Sequence, residues 1–153
     1  MQLKHPAHGP TRAACAGITL IEVLIALVVF SIGLLGLAGL QTVSLRFNTS
    51  AYYRTQATAL ASGLADRMRA NRQGALDGLY DTDLGVPVDC DPEAAGGGNP
   101  ADDLAAWRNA LACQLPQGTG AVARNGTQFT ITVQWDDSHG VEDPMDFEFT
   151  TGL

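Results

Sequence analysis

Glu22 is the one charged residue in the run from Gly17 to Leu45, and the chemistry open to a lone carboxylate there is to meet a cation. From Val23 to Leu45 the chain has 23 residues with neither charge nor proline. At about 1.5 Å of rise per helical residue that is roughly 34 Å, against a bilayer core of about 30 Å, so the run is a transmembrane candidate. A carboxylate in such a helix costs on the order of 2.5 to 3.5 kcal/mol at its centre and less towards its end, which makes an intramembrane acid a functional position in want of a partner. The competing reading is a helix-end acid at the interface, favoured there by the helix dipole.

Other residues could carry chemistry, and each has a plainer use. Asp81, Asp83, Asp89 and Asp91 suggest calcium, but the twelve-position pattern lacks its closing glutamate, and a solvated acidic loop accounts for them better. His139 stands among Asp136, Asp137, Glu142 and Asp143 with no second imidazole, so a solvated hairpin loop outweighs an acid-base or metal role. The chain has no Ser-His-Asp arrangement, phosphate loop or zinc spacing, which argues against an enzyme and implies no cofactor.

The elements before the apolar run decide how Glu22 is presented. A secretion signal has a basic start, an apolar core of about 7 to 15 residues and a cut after that core. Here the processing position, Ala16-Gly17, precedes the run, so cutting would remove only a polar leader and leave the helix in the mature chain. Lys4 and Arg12 then lie on the cytoplasmic side, and the remainder is exported. A lipoprotein reading of Cys15 fails on the same order of parts, because no apolar core precedes that cysteine.

The segment Gly17-Ile18-Thr19-Leu20-Ile21-Glu22-Val23 resembles the processing site of type IV pilins and of the pseudopilins of type II secretion. The resemblance implies cleavage after Gly17, methylation of the new N-terminal amine on Ile18, and pairing of Glu22 with the amine of a neighbouring subunit during assembly. Ile18 stands where the family usually has Phe or Met, and Ala14-Cys15-Ala16 where a basic residue is common.

Removal of residues 1–17 leaves seven arginines against sixteen acids, a formal charge of −9 compared with −7 for the 153-residue chain. That balance argues against sequence-independent nucleic-acid binding, which depends on basic charge. Two cysteines remain, Cys90 and Cys113. An even count in an oxidising compartment reads as a disulfide, with two free thiols as the alternative. Closing that loop would stabilise the fold by about 3.4 kcal/mol in the chain-entropy model.

The helix is expected to continue past the apolar run. Over 46–72 the composition turns amphipathic, and Tyr53, Ala57, Leu60, Leu64 and Met68 recur on one helical face. A continuous helix from Ile18 to about Arg72 would span roughly 80 Å. Gly33, Gly36 and Gly39 mark a stretch prone to bending or local melting, or else one suited to close helix packing. Gly74 to Pro100 reads as a loop, and Asp102 or Asp103 as the cap of a short helix through Trp107 to Cys113. Leu104, Trp107, Leu111 and Leu115 would face the core.

Phe129-Thr-Ile131-Thr-Val133-Gln-Trp135 alternates with the period of a half-buried strand, and Met145-Asp-Phe147-Glu-Phe149 alternates again. Asn125-Gly126 signals a hairpin that pairs Ala121–Arg124 with the first of these. The fold class is therefore α+β and pilin-like, a long N-terminal helix on a small antiparallel sheet. Its parts are a leader (1–17), a transmembrane or filament-core half-helix (18–45), an amphipathic half-helix (46–72) and a head (73–153).

Further blocks, Gly33 to Gln41, Ala65 to Arg72, Trp107, Leu115-Pro116 and Ile131 to Asp136, are most similar to the PilV-type minor pilins. That branch implies a subunit that primes or modifies pilus assembly. It also implies an inner-membrane location with the head in the periplasm, followed by a place in the filament. The implied partners are other pilins, a prepilin peptidase/methyltransferase, the inner-membrane assembly machinery, and lipid before assembly. The alternatives are a type II secretion pseudopilin and a membrane-tethered module for adhesion or DNA uptake. Arg67, Arg69 and Arg72 could serve the last of these. Their scatter around the helix favours ion pairing with Asp66 or the acidic head instead.

Overall fold

The computed structural model describes residues 17–94, 97–138 and 140–153. Residues 1–16 of the expected leader, with Lys4, Arg12 and Cys15, and also His139, lie outside the described residues. The chain divides into two compact units between Val43 and Ser44.

Helix α1 runs over Leu20–Ala70. It is the one described helix long and apolar enough to cross a membrane. In the first unit every described side chain is exposed, as the composition of an unpartnered apolar helix requires. α1 stays helical across Gly33, Gly36 and Gly39, so the expected local melting is not seen. The neighbouring Leu, Ala and Ile residues carry the helix through, each glycine costing only about 1 kcal/mol.

The expected end at Arg72 is corrected to Ala70. Asn71 leaves helical geometry at φ −115, ψ 55, and its side chain accepts from the Gly74 amide at 3.2 Å. That bond caps a second short helix, α2, over Arg72–Leu76. The segment expected as loop from Gly74 thus begins as helix.

In the second unit α1 buries Ala57, Ala61, Leu64, Ala65 and Met68, with Tyr53 and Leu60 at the margin. The stripe is centred on small residues rather than on all the large ones, so neighbouring groups approach the helix backbone. Helix α3, Pro100–Gln114, shows how close that approach is: the Trp107 indole N–H donates to the Leu60 carbonyl at 3.1 Å. The cap of α3 is Asn99, not Asp102 or Asp103, since Pro100 occupies the first helical position and the Asn99 side chain accepts from the Asp102 amide at 3.0 Å. The two aspartates lie in the first turn, where the helix dipole favours them. Trp107, Leu111 and Leu115 are buried and Leu104 packs beside them.

Strands β1 (Thr119–Asn125), β2 (Gln128–Trp135) and β3 (Met145–Gly152) form an antiparallel sheet in that order. Phe129, Ile131, Val133 and Trp135 are all buried, and the residues between them are not. In the β1–β2 hairpin Asn125 pairs with Gln128. The turn is therefore Gly126-Thr127, and Asn125 closes the strand instead of entering the turn. Gly126, at φ +65, holds the first central position, as a type II′ turn demands. β3 continues past Phe149 because Thr151 opposite Phe129 is buried and hydrogen-bonded.

Candidate functional site

The start of α1 gathers Gly17, Ile18, Thr19 and Glu22, all exposed. Thr19 and Glu22 have the spacing of a capping box, Thr-x-x-Glu. The Glu22 amide bonds to the Thr19 carbonyl at 3.1 Å and to its hydroxyl at 3.4 Å, and the Val23 amide to the same carbonyl at 3.3 Å. Thr19 is a local determinant that reading Glu22 alone overlooks, although the capping signature was present to find. It stops the helix from running back to Gly17 and places Glu22 in the first turn, where a negative charge is stabilised. Among the described residues no cation lies within ion-pairing distance of Glu22. Chemically, the segment offers an unpaired carboxylate on an apolar helix, preceded by an exposed glycine.

The head is held by groups on three elements. Cys90 and Cys113 are joined in a disulfide, with Cα atoms 4.8 Å apart, which fastens the exposed stretch after Tyr80 to the end of α3. Beside it the Asn109 amide group clamps Asp91, accepting from its N–H and donating to its carbonyl, each at 2.7 Å. Thr82 bridges Val122 at the edge of β1, and Arg108 donates to the Thr82 hydroxyl and, at 3.1 Å, to the Asp83 carbonyl. Asp81 pairs with Arg124 at 3.4 Å. Among the described residues no group of three or more metal-ligating side chains comes together.

Tyr80 is a buried residue that its polar surroundings in the sequence conceal. Its hydroxyl donates to Asp103 Oδ2 at 2.7 Å, and Arg67 approaches the same carboxylate at 3.7 Å. Burial first, then the Asp103 hydrogen bond and charge, push the Tyr80 phenol up to about 12. Arg69 pairs with Asp66 at 2.6 Å and reaches Thr151 at 2.7 Å, while Arg72 donates to the Leu153 carbonyl at 3.1 Å. The arginine cluster at the end of α1 thus ties the helix to α3 and β3. Asp136, expected in a solvated loop, is buried instead: it accepts from the amides of Ser138 at 2.9 Å and Gly140 at 2.6 Å, so it organises the turn into β3.

No curated protein and no solved structure is detectably similar to the chain. Residues 12–38 do match the prokaryotic N-terminal methylation motif, a segment that contains Gly17, Thr19 and Glu22. Such motifs mark structural proteins of the pilin type, which are not enzymes and which deal with a prepilin peptidase and a pilus assembly machinery. The motif at the head of a 51-residue helix, followed by a three-stranded antiparallel sheet, indicates a type IV pilin-like prepilin.

Proposed function

We propose that the protein is a minor pilin that primes or modifies type IV pilus assembly. The observation that carries this reading is the first unit: an apolar helix exposed along its whole described length, with one unpaired carboxylate near its start. Burying such a surface is favourable at roughly 25 cal/mol per Å², and lipid followed by a bundle of similar helices would supply the burial in turn. Cleavage after Gly17 frees an amine on Ile18, which is then methylated. Glu22 meets the corresponding amine of a neighbouring subunit. Before assembly residues 18–45 span the inner membrane, with 46–72 and the head, 73–153, in the periplasm. The resemblance of Gly33 to Gln41, Ala65 to Arg72 and Ile131 to Asp136 to PilV-type minor pilins supports the minor-pilin branch.

The test is deletion of the gene with quantification of the filaments that remain. A minor pilin predicts a loss of surface pili, restored by the wild-type chain, with the subunit present far below one copy per major subunit in sheared filaments. Normal piliation in the deletion strain, or loss of type II secretion with pili intact, contradicts it.

A further inference from the structure

Five of the seven arginines beyond Gly17 are held by the chain's own groups. Carboxylates take Arg67, Arg69 and Arg124, Thr82 and the Asp83 carbonyl take Arg108, and the Leu153 carbonyl takes Arg72. Arg46 and Arg54 differ: both are exposed on α1, and neither guanidinium has a hydrogen bond or ion pair among the described residues. Arg46 is the first charge after the uncharged run Val23–Leu45, and Phe47 beside it is 72% exposed.

An arginine lays its aliphatic stem along apolar surface and keeps its head in polar surroundings. The guanidinium is also built to grip phosphate, through two parallel N–H donors. We propose that Arg46 docks on the lipid phosphates of the exported leaflet and so sets the depth at which the helix leaves the bilayer. The inference rests on the membrane-spanning reading above. A phosphate layer already lies at the level where the apolar run ends, whereas a protein carboxylate would have to be brought there. Without Arg46 the uncharged stretch would extend from Val23 to Tyr53, 31 residues, and no charge before Arg54 would stop the helix from sliding inward. Arg54 lies roughly 12 Å further along the helix, beyond a Debye length of about 8 Å at physiological salt, and serves as the control.

The experiment uses the full chain carrying Phe47→Trp, reconstituted in phosphatidylglycerol vesicles and, separately, in vesicles of an uncharged, phosphate-free glycolipid. Quenching by lipids brominated at different chain depths reports the position of the reporter; Trp107 and Trp135 are buried in the head and out of reach. In phosphatidylglycerol the reporter is expected near the glycerol level, and Arg46→Gln moves it inward by about 3 Å, two residues of helical rise. Arg54→Gln leaves it in place, and in glycolipid Arg46→Gln has no effect. An unchanged depth in Arg46→Gln overturns the proposal, as does an equal shift in Arg54→Gln. If Arg46→Gln instead keeps its depth but loses association with other copies, the partner of Arg46 is protein. A reporter that no brominated lipid quenches, even with Arg46 present, removes the membrane-spanning reading itself, and the proposal with it.

Discussion

The Tyr80 hydroxyl donates to the Asp103 carboxylate at 2.7 Å, joining the segment after α2 to the first turn of α3 beneath Arg67. A phenol raised to about 12 in the fold and titrating near 10 when unfolded ties stability to alkaline pH. Below pH 10 both states are protonated and the contribution is complete. Between about 10 and 12 the unfolded chain has lost this proton while the fold still holds it, so stability falls as pH rises. Tyr80→Phe should remove that part of the alkaline decline and cost about 1.5 to 3 kcal/mol at neutral pH, the value of a hydrogen bond to a charged group. Denaturant unfolding of the detergent-solubilised chain across this range, beside its tyrosinate absorbance, measures both.

The disulfide anchors, at Cys90, a stretch whose residues from Asp83 to Asp91 are all exposed. Little buried apolar surface replaces it when it is absent. Cys90→Ser with Cys113→Ser should therefore lower stability by about 2 to 4 kcal/mol. Amide exchange should rise first at Asp91, where the Asn109 clamp would hold alone. A cost below about 0.5 kcal/mol would show that the clamp and Arg108 suffice.

Gly120 lies where a Cβ would run into the Trp107 ring and the Thr132 carbonyl. Trp107 is itself fixed by its bond to Leu60, so the ring has no easy retreat. Gly120→Ala should cost about 1 to 3 kcal/mol through overpacking. Gly152→Ala, whose Cβ meets only the Thr127 carbonyl at 3.9 Å, should change stability by less than about 0.5 kcal/mol. Thermal or denaturant unfolding of the two variants compares them directly.

Where the physics is periodic and local, the sequence discloses the structure. The alternation over Phe129–Trp135 places four side chains in the core, and the two cysteines left beyond the leader are the two that bond. Tyr80 could not be read in the same way, because its burial depends on Asp103, on another element, and its neighbours Asp77, Gly78 and Asp81 are those of a turn. Ala61 and Ala65 carry little hydrophobic signal of their own, yet they are buried because α1 is approached closely at small side chains. The cap of α3 is Asn99 rather than Asp102 or Asp103, in keeping with Pro100 at the first helical position. At the start of α1 the spacing of Thr19 and Glu22 is legible, whereas the partner proposed for Glu22 belongs to another molecule.

Glu22→Ala tests whether a neighbouring subunit supplies that partner. The measurement is filament assembly by a strain carrying the variant, scored together with N-terminal mass analysis of the membrane-bound subunit. The variant chain is expected to be cleaved after Gly17 and inserted normally but to fail to support wild-type filament numbers or to enter filaments. Glu22→Ala subunits that are processed, inserted and incorporated at wild-type levels would contradict that expectation.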